Sequence, residues 1–455
     1  MESSLDRKHI RNEIIKIAWP VFLELFMGSL FGMVDMVMVG RHGDDATIAA
    51  SIAAIGITNQ LTNLGLALVQ SLNVGGTTMV ARYIGAKREN RIESVVKHVV
   101  ILTELLLVLP IIYLGIGKTA SAMKFFGAQE DTIQIGSGYF RVVSLGFIFQ
   151  AFNYAIFAAI RGSGDTRTPM KINISTNLFN VFGNAVLIYG LLGFPRLGVL
   201  GAGISTAISQ VIATILLMRV IFDENRIVHI NLKSKFKFDK DIIYNLVKIG
   251  LPATMEQLVL RLGVLLFTRM IASLGTIAYA THQICINLLS LSINPGQAFG
   301  ISASTLTGRS LGEENPEKAE IYIKTCGKVG TIIAALMTIV FFFFGDILAS
   351  LYTTNRQVVG EASGILRLVS IIQLFQCSQL ILAGGLRGAG DTIWTLVATF
   401  FGILVIRIAL TYILVIKVGI GLSGAWIAML VDQFVRWFLI LIRFKSGKWK
   451  YVTIR

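Results

Sequence analysis

The chain has 455 residues, of which 54% are hydrophobic and only 15% charged, against roughly 25% charged in an ordinary soluble domain. A mean hydropathy of +0.71 over the whole length excludes a soluble protein with a single anchor, because the apolar surplus recurs throughout. The formal net charge of +15 admits a nucleic-acid binder only if the basic residues cluster on one surface, and they do not.

A helix needs about 20 mostly apolar residues to cross the hydrocarbon. In chain order, candidate spans fall at 14–39, 47–72, 95–116, 133–159, 171–191, 198–222, 243–272, 277–302, 321–344, 361–385, 394–416 and 421–442. Backbone polar groups must pair internally in lipid, so only helices or a closed barrel can span. Barrel strands alternate apolar and polar residues and these segments do not, which predicts twelve transmembrane helices. With the N-terminus inside and loops assigned alternately, the inner segments carry 29 Lys and Arg and the outer loops 6 (Arg41, Lys118, Lys124, Arg196, Arg356 and Lys417). That asymmetry is the positive-inside pattern. It predicts a multi-pass protein of the cell (inner or plasma) membrane with both termini cytoplasmic, and it reads the basic charge as topology, with no nucleic-acid partner. The first span is too long for a signal-peptide core and is expected to stay as a helix. Cys285, Cys326 and Cys377 lie in or beside spans and read as small apolar filler.

Four motifs occur twice in the same order. Lys16-Ile-Ala-Trp-Pro20 recurs as Lys248-Ile-Gly-Leu-Pro252, with Glu24 and Glu256 four residues past each proline. Arg82-x-x-Gly85 recurs as Arg309-x-x-Gly312, Arg161-Gly-Ser-Gly-Asp-Thr166 as Arg387-Gly-Ala-Gly-Asp-Thr392, and Gly198/Gly203 as Gly419/Gly424. The offsets of 232, 227, 226 and 221 drift slowly, as small loop deletions produce. Six spans per half is an even number, so both halves enter the membrane from the same side. The expected fold is therefore all-α, two six-helix bundles related by a pseudo-two-fold axis along the membrane normal. The expected boundaries are 1–222 for the first lobe, 223–242 for an inner linker and 243–455 for the second lobe. Matched lobes around a cleft suit transport by alternating exposure, which a scaffold or receptor does not require.

Charges inside spans are costly, on the order of 3 kcal/mol each, so they mark candidate sites. Glu24 and Asp35 are eleven residues apart, on one face and about 16 Å apart along a helix. Asp35 has no acidic partner in the second half, where an offset of 232 reaches Phe267. Glu24 and Glu256 are matched, and either face a common cleft or hydrogen-bond within their own lobes near the proline bends. Asn180 and Asn184 share a helix face. Gln150 and Asn153 precede Arg161 by the same counts as Gln376 and Gln379 precede Arg387. Such amides offer donors and acceptors to varied substrates, or join helices to one another. His282 either titrates near neutral pH or packs in a hydrogen-bonded site. Asp432 and Arg436, four apart, read as a local neutralising pair, and Arg407 lies near where the repeat places the Asn180–Asn184 region. Gly117-Lys118-Thr119 lacks the earlier glycine of a phosphate loop, its place taken by Ile112. No cofactor, metal-ligand spacing or enzymatic motif is expected, and an ion gradient is the expected energy source.

The Gly-Met-Val-Asp-x-x-x-x-Gly stretch around Asp35, Ala-Thr-His-Gln at 280–283 and the doubled Leu/Ile-Arg-Gly-x-Gly-Asp-Thr together resemble the multidrug and toxin extrusion (MATE) family. The resemblance covers nearly the whole chain. It implies a Na⁺- or H⁺-coupled antiporter, a secondary transporter that exports small organic, often cationic, compounds and has no catalytic residues. It implies that Asp35 is the first-helix aspartate linked to cation coupling, with Asn180 beside it, and that Glu256 matches a seventh-helix glutamate. It also shows departures: Asn184 stands where one branch commonly has an aspartate, and Gln376 where others have one. The expected ion-coupling set is Asp35, Asn180, Asn184 and Glu256, with no metal site beyond transported Na⁺. The expected substrate-cavity set is Glu24, Gln150, Asn153, His282, Gln376 and Gln379. Expected partners are small-molecule substrates and membrane lipids, for a chain acting as a monomer. The alternatives are a flippase for a lipid-linked precursor and a membrane receptor or scaffold without flux.

Overall fold

The computed structural model describes residues 4–40, 45–231, 233–353 and 355–454, so the outer-loop Arg41 and the terminal Arg455 lie outside the described residues. Among the described residues, twelve long helices succeed one another in the order expected. They are α1 (Ser4–Gly40), α2 (Asp45–Gly85), α3 (Glu89–Gly117), α4 (Glu130–Gly162), α5 (Arg167–Tyr189) and α6 (Gly198–Ile221) in the first half. The second half holds α7 (Lys240–Ala272), α8 (Thr276–Gly312), α9 (Pro316–Phe343), α10 (Arg356–Gly388), α11 (Thr392–Lys417) and α12 (Leu422–Lys445). Several run a few turns beyond the predicted apolar spans, because a helix need not stop where the hydrocarbon does.

Eleven of the twelve are long and apolar enough to cross a membrane. The exception is α5, whose Asn173, Asn177, Asn180 and Asn184 dilute its apolar content. Short helices that the hydropathy pattern does not reveal come after the third helix of each half, Thr119–Phe125 and Gly345–Ser350, again 226 residues apart. Pro20, Pro252 and Pro295 lie inside three of the long helices, where the ring removes one backbone donor. In α3 and α11 the backbone loosens into π-helical turns at Glu104–Val108 and Phe400–Arg407, a geometry concentrated at functional positions. Starts are capped locally: Asn315 Oδ1 accepts from Lys318 N–H at 2.9 Å, and Asn355 Oδ1 from Gln357 and Val358 N–H.

By packing, the chain forms two compact units: residues Leu23–Tyr83 with Lys87–Val247, and residues Met1–Phe22, Ile84–Ala86 and Lys248–Arg455. In the first, Phe140, Phe147 and Phe157 of α4 are fully buried. The segment after α6 is tied to the start of α3 in the same unit. Glu93 accepts from Asn231 N–H at 3.0 Å, Lys97 reaches Ser234, and His98 Nε2 accepts from Asp239 N–H beneath Phe236 and Phe238. In the second unit Ile14, Ile17 and Ala18 of α1 join Phe299, Tyr322 and Cys326 in one apolar cluster. All three cysteines are buried and free.

Association of helices in lipid lacks a hydrophobic drive and relies on close packing over small residues. A Cβ on Gly384 would stand 2.2 Å from the Gly300 carbonyl oxygen, and one on Gly388 2.1 Å from that of Ser304, so α8 and α10 meet backbone to backbone. The equivalent crossing of α2 and α4 is also glycine-dependent, with a Gly162 Cβ falling 2.7 Å from the Thr77 carbonyl oxygen.

Candidate functional site

The doubled motifs resolve into one device made twice. Glu24 of α1 and Glu256 of α7 are 8% and 2% exposed. Arg161 Nη2 stands 2.6 Å from Glu24, and Arg387 Nη2 stands 2.6 Å from Glu256. The glutamate past each proline is thus neutralised by the arginine of the Arg-Gly-x-Gly-Asp-Thr segment in its own unit. The rest of that segment is equally constrained. Its first glycine permits the close helix crossing, and its second, Gly164 or Gly390, turns the chain at φ +89° or +86°, which a side chain disfavours. Its aspartate secures the adjoining helices: Asp165 accepts from Arg167 and Thr168 N–H at the start of α5, and Asp391 pairs with Arg443 at 2.7 Å.

The two glutamates differ in their remaining partners. Glu256 also accepts from Thr395 at 2.8 Å and Thr399 at 3.1 Å, one turn apart on α11. Glu24 accepts from Asn173 of α5, while its Oε2 is buried without a hydrogen bond. The sequence leaves open whether these acids meet in a cleft or bond within their lobes, and each makes its ion pair within its own unit.

Asp35, half-buried near the other end of α1, is held differently. Asn184 Nδ2 donates to its Oδ1 at 2.9 Å. Asn180 Nδ2 donates to its Oδ2 at 3.1 Å when the amide carbonyl faces Thr206 N–H and Oγ1, the orientation that satisfies both ends. Ser205 Oγ donates to the Asn180 backbone carbonyl at 2.8 Å, locking α5 against α6. Among the described residues no cationic side chain pairs with Asp35; its hydrogen-bonding partners are these two amides. Asn184 Oδ1 is buried and accepts no hydrogen bond. The Asp35 carboxylate and the unbonded Asn184 amide oxygen are therefore partly shielded from solvent and without a counter-charge, oxygen ligands of the kind that suit a proton or a hard cation.

The corresponding place in the second unit is filled. Phe267, offset by 232 from Asp35, packs against His282, which also meets Trp426 at 5.6 Å. The Arg407 guanidinium lies 5.3 Å from the Phe267 ring centroid. Asp432 accepts from Arg407 at 2.5 Å and pairs with Arg436 at 2.9 Å, so the pair expected at 432 and 436 is a triad with two cations. Aromatic rings and buried arginines leave no site for a cation there.

The amides divide. Asn153 is tied to α6, donating to Gln210 and accepting from Thr214 at 2.8 Å, an arrangement that joins helices. Gln150 and Gln376 are half-buried, Gln379 is buried, and Gln376 Oε1 has no hydrogen bond. Of the expected ion-coupling residues, the structure brings Asp35, Asn180 and Asn184 together, whereas Glu256 sits with Arg387 in the other unit. The sequence does not single out Asn173, Thr395, Thr399 or Glu104, a span carboxylate at the π turn of α3 whose Oε1 is buried and unbonded. Arg161 and Arg387 stand out in it as repeated residues, and the signal for their role is an offset close to that of the glutamates.

A duplicated six-helix membrane lobe with buried, hydrogen-bonded carboxylates is an arrangement that suits a membrane transporter. The MatE family model matches residues 20–186 and again 252–413, beginning at Pro20 and Pro252, the same offset as the repeated prolines. The chain belongs to this family, the multidrug and toxin extrusion transporters, and is a transporter rather than an enzyme. It is 30% identical over 454 residues to a probable multidrug resistance protein NorM of Thermotoga maritima, covering 97% of this chain and 93% of that one. It is 29% identical to the multidrug resistance protein NorM of Vibrio cholerae, covering 92% of each. Two solved folds match over 96% of the chain: a MATE protein in a bent conformation (TM-score 0.88, 24% identity, 96% of that chain) and an outward-facing multidrug resistance MATE transporter (0.87, 23%, 97%). The flippase alternative gains no support from these relatives.

Proposed function

We propose that this transporter is a cation-coupled antiporter, driven by Na⁺ or H⁺, which exports small organic, often cationic, compounds by alternating access. One observation carries the reading: Asp35 is held by amides without a counter-charge, whereas Glu24, Glu256 and Asp432 each have an arginine. A carboxylate in a membrane is costly unless a cation or proton neutralises it. An ion that binds Asp35, Asn180 and Asn184 with different affinity in two conformations shifts their balance, which is the requirement for coupling. Glu256, already neutralised, is an accessory. Of the expected substrate set, Glu24 is ion-paired, Asn153 joins helices and His282 is packed between rings, whereas half-buried Gln150 and Gln376 are the better placed, Gln376 offering an unbonded amide oxygen to a ligand. In this reading the protein works as a monomer in the cell (inner) membrane, both termini cytoplasmic, without cofactor or nucleic acid.

The test is efflux of a cationic dye from proteoliposomes under an imposed Na⁺ or proton gradient. Asp35→Asn should reduce gradient-driven movement to the level of empty vesicles, while elution profile and melting temperature stay those of the wild type. Wild-type flux by that variant would overturn the proposal.

A further inference from the structure

Away from the carboxylates, the second unit carries a groove of about 780 Å³ between α9, α10 and α12 and the turn at Lys448–Tyr451 beyond α12. Its walls are apolar, among them Ile332, Leu382, Trp437 and Leu441. Two of its lining residues are joined, Trp437 Nε1 donating to Ser378 Oγ at 3.0 Å. Its rim is basic, with Lys324 and Lys328 one turn apart on α9, Lys445 at the end of α12, and Lys450 beyond it. The one carboxylate in the rim, Glu320, is engaged by Lys324 at 2.5 Å and by Lys450. Lys328 and Lys445 are exposed, and neither pairs with a carboxylate among the described residues. Lys328 stands seven residues inside the predicted span 321–344, about 10 Å along the helix axis, from which an ammonium can reach back towards polar headgroups.

We propose that this groove is a binding site for an anionic phospholipid, its phosphate among Lys324, Lys328 and Lys445 and an acyl chain along Ile332, Leu382 and Trp437. The charge complementarity is direct: four lysines against one carboxylate around an apolar slot. Basic pockets between transmembrane helices, set at one end of the bundle, recognise phosphate-bearing headgroups in this way. Between the two α9 lysines lies Gly327, where an added Cβ would meet nothing within 4 Å, so the groove is open at its centre.

The full-length protein, purified and delipidated in mild detergent, is equilibrated with equal amounts of palmitoyl-oleoyl phosphatidylglycerol and the corresponding phosphatidylcholine, and retained lipid is counted by native mass spectrometry. Wild type should prefer phosphatidylglycerol on the order of tenfold, with one lipid retained more tightly than the rest. Lys324→Gln/Lys328→Gln/Lys445→Gln should lose the preference. Gly327→Phe should lose the tight lipid although every charge remains, because the ring occupies the slot. Lys233→Gln/Lys235→Gln/Lys237→Gln, altered outside the groove, should behave as wild type, and melting temperatures confirm folding throughout. Equal retention of both lipids by wild type, or preference kept by the groove triple variant, would overturn the site. So would a Gly327→Phe protein that keeps the tight lipid, since the attraction would then be diffuse surface charge.

Discussion

Glu256 draws one arginine and two threonines, and Asp35 draws two amides and no cation; the same functional group is thus used in two ways within one chain. The difference predicts opposite mutational behaviour. Removing one partner of a buried ion pair leaves the other charge uncompensated, at about 3 kcal/mol, so Glu256→Gln should lower the melting temperature in detergent markedly. Adding Arg387→Gln should restore much of that loss, because the guanidinium that lost its carboxylate is gone; a double variant as unstable as the single would contradict the pairing. Asp35→Asn strands no cation and should leave the melting temperature near that of the wild type. Glu24, Asp35, Glu256 and Asp432 were legible in the sequence, because charge in an apolar run is conspicuous, although Glu104 in the third span was not singled out. Their partners were less so: Asn173, Thr395 and Thr399 are ordinary polar residues whose role depends on which helices adjoin, and periodicity within one helix does not report that.

At the scale of the helix, glycine position decides which pairs come close. Gly388→Ala would drive a methyl group onto the Ser304 carbonyl oxygen, where an approach of 2.1 Å to backbone leaves no room for relaxation by rotamer change. The crossing of α8 and α10 must open, at about 1–3 kcal/mol or more. Gly360, on the same helix, has nothing within 4 Å of its Cβ, and Gly360→Ala should be neutral or slightly stabilising through better helix propensity. Comparing folded yield and melting temperature of the two variants separates a packing glycine from an incidental one. Both the twelve helices and their duplication were legible in the sequence, since each span is a long apolar run and the motifs repeat in order. The short helices at Thr119–Phe125 and Gly345–Ser350 were not, being too brief for a periodic signal. The π turns at Glu104–Val108 and Phe400–Arg407 were hidden for another reason: a single widened turn changes the backbone hydrogen bonds without changing composition.

For the molecule as a whole, the distribution of basic residues implies an orientation that chemistry can read. Cys285, Cys326 and Cys377 are buried, so native thiols should react slowly with a membrane-impermeant maleimide. A cysteine introduced at exposed Lys237, between α6 and α7, should be labelled only from the cytoplasmic side, and one at exposed Arg196, between α5 and α6, only from outside. The reverse pattern would invert the topology. A last consequence concerns biogenesis. Among the described residues α5 is the one long helix not apolar enough to cross on its own account, yet it carries Asn173, Asn180 and Asn184 to Glu24 and Asp35 of α1. As it leaves the ribosome its amides have no partners, so its entry into lipid depends on neighbours already made or emerging at once. The hydrogen bond from Leu197 N–H to the Leu187 carbonyl, across the turn to α6, favours delivery of α5 and α6 as a hairpin. The helix that supplies the amides of Asp35 is therefore also the one whose insertion must be assisted, so any change to those amides also acts on how the chain is threaded into the bilayer.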